Sequence, residues 1–300
     1  MSLPTVFQST YDNQARMLLQ QDESKLQGTC EQDGGVMEEK YYQQSAAFEV
    51  SEKQSGVNST NNIRPEFARR RLITTPFNVA PIYTTQEEVR AAIDISSSHM
   101  RSMNAAFARK RDQVKIDALL GTAYTGKAGG TAVTLPSAQT VAVDFVEDGS
   151  TTTSNLTIGK LREARKIFDL AEMDTERLAS EGKLYFAASP DQRQALLQDT
   201  NITSSDFNSV KALVDGNIDT YMGFKFVWST QLSVVAATNV RSCIAWSWDA
   251  LMFATGKEIH RVDERPDKEY AHQLYSEVEY GATRMEEEKV IEILCDEDVA

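Results

Sequence analysis

The chain has 300 residues, 41% hydrophobic and 25% charged, with a formal net charge of −13. That length supports one large domain or two modest ones. The acidic balance argues against coating nucleic acid through the average field, because phosphate binding is driven by Lys and Arg.

No apolar run approaches the roughly 20 residues that span a bilayer. The opening Met1–Thr5 has neither the basic start nor the apolar stretch of a secretory signal, so a cytoplasmic chain is expected. The three cysteines, Cys30, Cys243 and Cys295, are odd in number and far apart, which reads as reduced thiols. His99, His260 and His272 are equally dispersed, and no metal site is expected from them.

Residues 1–60 are rich in Gln, with one short amphipathic piece carrying Tyr11, Met17 and Leu18. Gly34–Gly35 and a polar run from Ser51 to Asn62 follow. So little apolar content cannot offset the ordering entropy of the segment. It is expected to be disordered or held from outside, for example by a neighbouring subunit. On either side of the polar run the pattern turns extended, at 41–50 and 71–85. Pro76 and Pro81 assign the second piece to an edge or a protrusion. The two together predict a long projecting hairpin.

From Thr85, an N-cap with Glu87 and Glu88 in the first turn, to Leu120 there is no Pro or Gly. Val89, Ile93, Ser96, Met100, Met103, Phe107, Val114 and Ala118 recur mostly at helical steps, and Gly121 closes the run. A continuous helix here would be about 50 Å long; Ile95–Ser98 is the place where it could break.

Thr131–Leu135 and Thr140–Val146 read as strands. A second helix opens near Thr157 and carries Leu161, Ala164, Ile167, Phe168 and Ala171 on one face. Leu184–Ala188 is a buried strand, Pro190–Gln198 a helix with Pro at its first position, and Phe224–Ser229 a further strand. Cys243–Trp248, Gln273–Tyr280 and Lys289–Leu294 complete the set. Helices and strands mix without a βαβ repeat, so the fold class is α+β.

The candidates for chemistry are weak. Gly121–Ala128 matches a phosphate loop except that Ala128 replaces the Mg²⁺-binding hydroxyl, and it follows a helix where such a loop opens one. It reads as a glycine-rich helix exit. Arg69–Arg71 and Arg109–Arg111 read as solvated faces or ion pairs. The acidic runs Glu286–Glu288 and Asp296–Asp298 lack an oriented base. Ser189 stands before Pro190 without the glycines of a nucleophile elbow, so it caps a helix. Trp246 and Trp248 share a strand face and are expected in the core. No catalytic residue, cofactor or metal is expected.

What remains is an arm, a hairpin, a long helix and a mixed body, an order that resembles the HK97-type major capsid proteins of tailed phages. The resemblance is carried by Ser2–Thr5, Tyr11, Gln20–Leu26, Arg70–Ile73, Ala108–Asp112 and Asp117–Gly126. It continues through Ser204–Phe207, Val210–Gly216, Gly223–Phe226 and Glu279–Arg284. It implies an N-terminal arm over 1–40, an extended hairpin (the E-loop) over 41–85, a peripheral domain from 86–121 and 256–290, and an axial domain from 122–255 and 291–300.

It further implies an icosahedral shell subunit, not an enzyme, that assembles in the host cytoplasm into hexamers and pentamers around packaged double-stranded DNA. Scaffold, portal and decoration proteins are further partners, with no membrane. An acidic shell lining would leave the DNA unadsorbed. Phe48, Arg69, Arg70, Arg71, Phe77 and Tyr83 are the expected intersubunit contacts. Lys53 is the one Lys of the hairpin, without a motif for covalent crosslinking. The competing readings are a cellular nanocompartment shell of the same fold, an enzyme with dispersed carboxylates, and a tail or portal component.

Overall fold

The computed structural model describes residues 20–36, 38–46, 48, 50, 64, 67–84, 95–147, 152–198, 220–235 and 237–298. The expected features at Tyr11–Leu18, Lys53, Thr85–Glu88 and Ser204–Gly216 lie outside them. The fold is α+β, built from three sheets around one long helix.

The first strands are β1 (Glu31–Gly34), β2 (Glu39–Ser45), β3 (Phe67–Ile73), β4 (Thr75–Val79) and β5 (Ile82–Tyr83). The helix α1 (Ile95–Leu120) follows, unbroken through Ser96–Ser98. It leads into the hairpin β6 (Ala123–Thr125) and β7 (Thr131–Val133). Next come β8 (Thr140–Val141), α2 (Ile158–Leu170), α3 (Thr175–Ser180), β9 (Leu184–Ala188) and α4 (Pro190–Gln198). The chain continues through β10 (Thr220–Tyr221), β11 (Phe224–Trp228), β12 (Val234–Val235) and β13 (Val240–Ser247). It ends in β14 (Leu251–Arg265), β15 (Ala271–Arg284) and β16 (Val290–Asp296).

One sheet runs β1-β14-β15-β4 with β5 added on β15; a second runs β10-β11-β9-β13-β16-β8 with β12 on β13; a third runs β2-β3-β6-β7. The hairpin therefore differs from the expected one. Glu39–Ser45 pairs with Phe67–Ile73 in full antiparallel register, whereas Thr75–Val79 leaves to pair with β15. Pro76 sits in that short strand, at the sheet edge where a missing N–H is tolerated. The strand expected over Thr140–Val146 is only two residues long, because the chain turns with Phe145 N–H donating to Ala142 O at 3.2 Å.

The second sheet packs α2 on one face around Phe168, Phe186, Phe224 and Ile293. Its other face meets α1 and the first sheet through Trp246, Ile244, Phe253 and Tyr280. Each fully buried large apolar side chain contributes about 1.5–3 kcal/mol. Thr157 caps α2 by accepting Lys160 N–H at 3.4 Å. The buried Lys160 ammonium ties three segments, donating to Val143 O (2.9 Å), Ser154 O (2.6 Å) and Leu294 O (2.9 Å). Trp246 is buried as expected, but Trp248 falls past the strand in a 3-10 turn, where Lys183 lies 5.5 Å over its ring.

Candidate intersubunit surfaces

The N-terminal segment departs from expectation. Residues 20–36 are held by the chain itself, and a charged position in α1 does it. Asp112 is wholly buried. Its carboxylate accepts from Lys25 N–H (2.8 Å), Leu26 N–H (3.2 Å), Gln21 Nε2 (2.6 Å) and the Ser24 hydroxyl. One helical turn on, the buried Lys115 ammonium donates to Leu26 O at 2.7 Å and lies 4.8 Å over the Phe253 ring. Burial pushes the Lys115 ammonium below its ordinary value and the neighbouring Cys30 thiol above its own. Trp246 Nε1 donates to Thr29 O at 3.0 Å, and β1 then pairs in parallel with β14. Leu26 and Cys30 are thereby brought into the core.

At its other end α1 is closed by a cation. Arg284 is fully buried, and its Nη1 donates to Leu119 O (2.7 Å) and Gly121 O (2.9 Å). A guanidinium there satisfies carbonyls that the helix leaves unpaired and complements its dipole. Glu287 lies 3.6 Å from Arg284 Nε and also pairs with Arg70, so β3 and β15 meet at one carboxylate between two guanidiniums.

The six expected contact residues fall into two groups. Arg70 is buried on Glu287, Phe77 packs against Tyr280 with ring centroids 6.2 Å apart, and Tyr83 is buried with Met103 and Leu274. Phe48 and Arg69 are exposed, and Arg71 is half-buried in an ion pair with Glu39 at 2.7 Å. Alternation along β3 directs Phe67, Arg69, Arg71 and Ile73 outward, with Arg70 and Leu72 turned to the body. Tyr124 of β6 lies beside Arg71 on the same outer face. Phe67 (71% exposed) and Tyr124 (42%) are uncovered there, and Phe48 (63%) is exposed past the end of β2. Sequence reasoning missed Phe67 and Tyr124, since one precedes a run of arginines and the other sits among glycines.

The chemistry candidates resolve into structure. Gly121–Ala128 is helix exit, strand and turn, with Gly126 at φ 98°. Ser189 caps α4: its hydroxyl accepts Asp191 N–H at 3.2 Å while Gln192 Oε1 accepts Ser189 N–H at 3.0 Å. Among the described residues no group of three or more His, Cys, Asp or Glu is arranged to hold a metal ion. None of their helices is long and apolar enough to cross a membrane. A depression of about 490 Å³ beside α3 is lined by Asp169 and Asp174, paired with Arg165 and Arg177. A second cavity, about 350 Å³, opens between the N-terminal segment, α1 and the β14–β15 ribbon.

A sequence family described as phage capsid protein matches residues 3–297. No curated protein sequence matches the chain. Among solved structures, the chain is similar to the capsid of cyanophage P-SCSP1u, with a TM-score of 0.72 at 14% identity, covering 96% of this chain and 92% of that one. The capsid of Ralstonia phage GP4 gives 0.72 at 10% identity, with 97% and 96% covered. A chain from Mycobacterium phage Che8 gives 0.65 at 11% identity over the full length of both.

Proposed function

We propose, for a chain that belongs to the phage capsid protein family and has the HK97-like fold of a major capsid protein, that it assembles as hexamers and pentamers enclosing packaged double-stranded DNA. Membership of that family makes the chain a structural subunit of a viral capsid, located in the virion.

The observation that carries the finer reading is the uncovered outer face of the hairpin. Phe67, at the start of β3, and Phe48, past the end of β2, are both more than 60% exposed. Large apolar side chains left exposed favour burial against another chain. Phe48, Arg69 and Arg71 act as contacts on this reading. Arg70, Phe77 and Tyr83 act from beneath by fixing the strands that carry them. The arm is 1–40, the E-loop 41–85, the peripheral domain 86–121 with 256–290, and the axial domain the rest. Assembly takes place in the host cytoplasm, with scaffold, portal and decoration proteins as further partners. The net charge of −13 suits a lining that does not hold DNA tightly.

Negative-stain imaging of the purified chain, alone and with a co-expressed scaffold, tests this. Closed polyhedral shells are expected; a discrete small oligomer under both conditions overturns it.

A further inference from the structure

Two of the three cysteines are neighbours in space. Cys243 on β13 and Cys295 on β16 lie on adjacent antiparallel strands, where Cys243 faces Ile293 and Arg241 faces Cys295. Residues two apart on a strand share a face of the sheet, so both thiols enter the core that holds Phe168 and Phe186. Both are fully buried, and they are hydrogen-bonded to each other. Cys30 belongs to the other core, with Trp246 and Phe253. Burial, helped by the partner thiol, holds Cys243 well above its ordinary value, so it stays protonated and unreactive while the strands are closed.

Cys295 stands near the weakly held end of β16. The outer neighbour β8 pairs only with Glu292 and Ile293. Beyond them the ladder to β13 is supplemented by the Lys160 ammonium on Leu294 O at 2.9 Å and by Asp296 N–H donating to Ser154 O at 3.1 Å. Fraying of a strand end is among the least costly openings of a sheet. Here it uncovers Cys295 first, while Cys243 sits in the interior of β13.

We propose that Cys243 and Cys295 form a redox modification site, closing to an intrachain disulfide when the protein meets a low-molecular-weight disulfide. In the frayed strand Cys295 loses its proton to solvent, and its thiolate attacks the oxidant's S–S bond. A mixed disulfide forms and one small thiol leaves. As the strand closes, Cys243 gives up its proton and its sulfur displaces the second small thiol. Two protein thiols are thus oxidised, one small disulfide is reduced, and the two protons end on the released thiols. Diagonal positions on an antiparallel pair stand about 7–8 Å apart at Cα, whereas a disulfide spans about 4.4–6.8 Å. Closing the bridge therefore draws the strands together and leaves it easily reduced. It is absent in a thiol-rich medium. In an oxidising one it ties the last strand of the shell subunit to its sheet.

Mass spectrometry of the full chain tests the site, whether or not shells form. The folded protein is held with glutathione disulfide until the amides of Leu294–Asp296 have exchanged, so that the strand has opened, and is then denatured and alkylated. The expected product has lost the mass of two hydrogens, carries one alkyl group, on Cys30, and yields a peptide pair joined through Cys243 and Cys295. Dithiothreitol restores three alkylated thiols. Three alkylated thiols before reduction, glutathione retained on Cys295, or a bridge that includes Cys30 each overturn the proposal. The second measurement reads the consequence. Bridging is expected to slow amide exchange of Leu294–Asp296 about tenfold or more, since the closed loop restrains the opened strand. Cys243→Ala is expected to show no such slowing with the oxidant. Equal exchange in the bridged and reduced chains, or equal slowing in Cys243→Ala, overturns the tie.

Discussion

Asp112 and Leu26 are 86 residues apart in sequence, yet the Asp112 carboxylate accepts the Leu26 backbone N–H at 3.2 Å inside the core. Three further donors from residues 21–25 complete the cage, and Lys115 holds the other side of the same peptide segment. Replacing Asp112 by Ala leaves these donors buried without an acceptor, at a cost of about 3 kcal/mol. The expected outcome is a protomer that keeps its second sheet but exchanges the amides of residues 24–30 rapidly. Native-state hydrogen exchange reads it, and unchanged protection of that segment would contradict the assignment.

Arg284 closes the opposite end of α1. Arg284→Met fills the volume but leaves the Leu119 and Gly121 carbonyls unpaired and Glu287 facing Arg70 alone. A loss of about 3–5 kcal/mol follows from breaking a buried charged group out of its partners. Arg284→Lys recovers only part, because one ammonium cannot stand at once where Nη1 meets Leu119 O and Gly121 O, Nη2 meets Val133 O and Nε faces Glu287. Urea unfolding of the unassembled chain measures both variants.

Gly281 is required for a different reason. A Cβ at this position would sit 2.5 Å from Ile73 O, a backbone atom at the junction of β3 and β4. Gly281→Ala must push the hairpin base away from β15, which costs about 1–3 kcal/mol. The denaturation midpoint should fall accordingly. Gly34→Ala, where nothing lies within 4 Å, is the matched control.

These positions show what was legible in the sequence and what was not. The long helix, the buried strand Leu184–Ala188 and the cap at Ser189 were readable because periodicity and local chemistry specify them. Asp112, Lys115, Lys160 and Arg284 were not, since a buried charge looks in sequence like a solvated one; only tertiary partners distinguish the two. All of β14 was missed, its distal half for a related reason. From Lys257 to Glu264 its side chains are largely solvent-exposed and charged, so no alternation betrays the strand. The true second strand of the hairpin, Phe67–Ile73, was hidden behind its three arginines, one buried, one paired and one exposed.

Acid should loosen the C-terminal edge of the second sheet before the rest. Glu297 accepts from Arg241 Nη2 at 3.1 Å, from Gln192 Nε2 at 3.0 Å and from the Ser189 hydroxyl at 3.2 Å. The Arg241 hydrogen bond, aided by Gln192, holds the carboxyl below its ordinary value of 4.5. Above 4.5 both folded and unfolded chains are ionised and the contact contributes fully. As pH falls from there, the unfolded chain takes up the proton first, and the contribution is gone once pH drops through the lower folded value. Thermal melts of the unassembled chain between about pH 6 and 3 should therefore show a falling midpoint that Glu297→Gln makes shallower. Since Glu297 ties the cap of α4 to β13, exchange of the Ser189–Gln192 amides should rise over the same interval. A pH profile identical in Glu297→Gln and the unaltered chain would show that the contact carries no linkage.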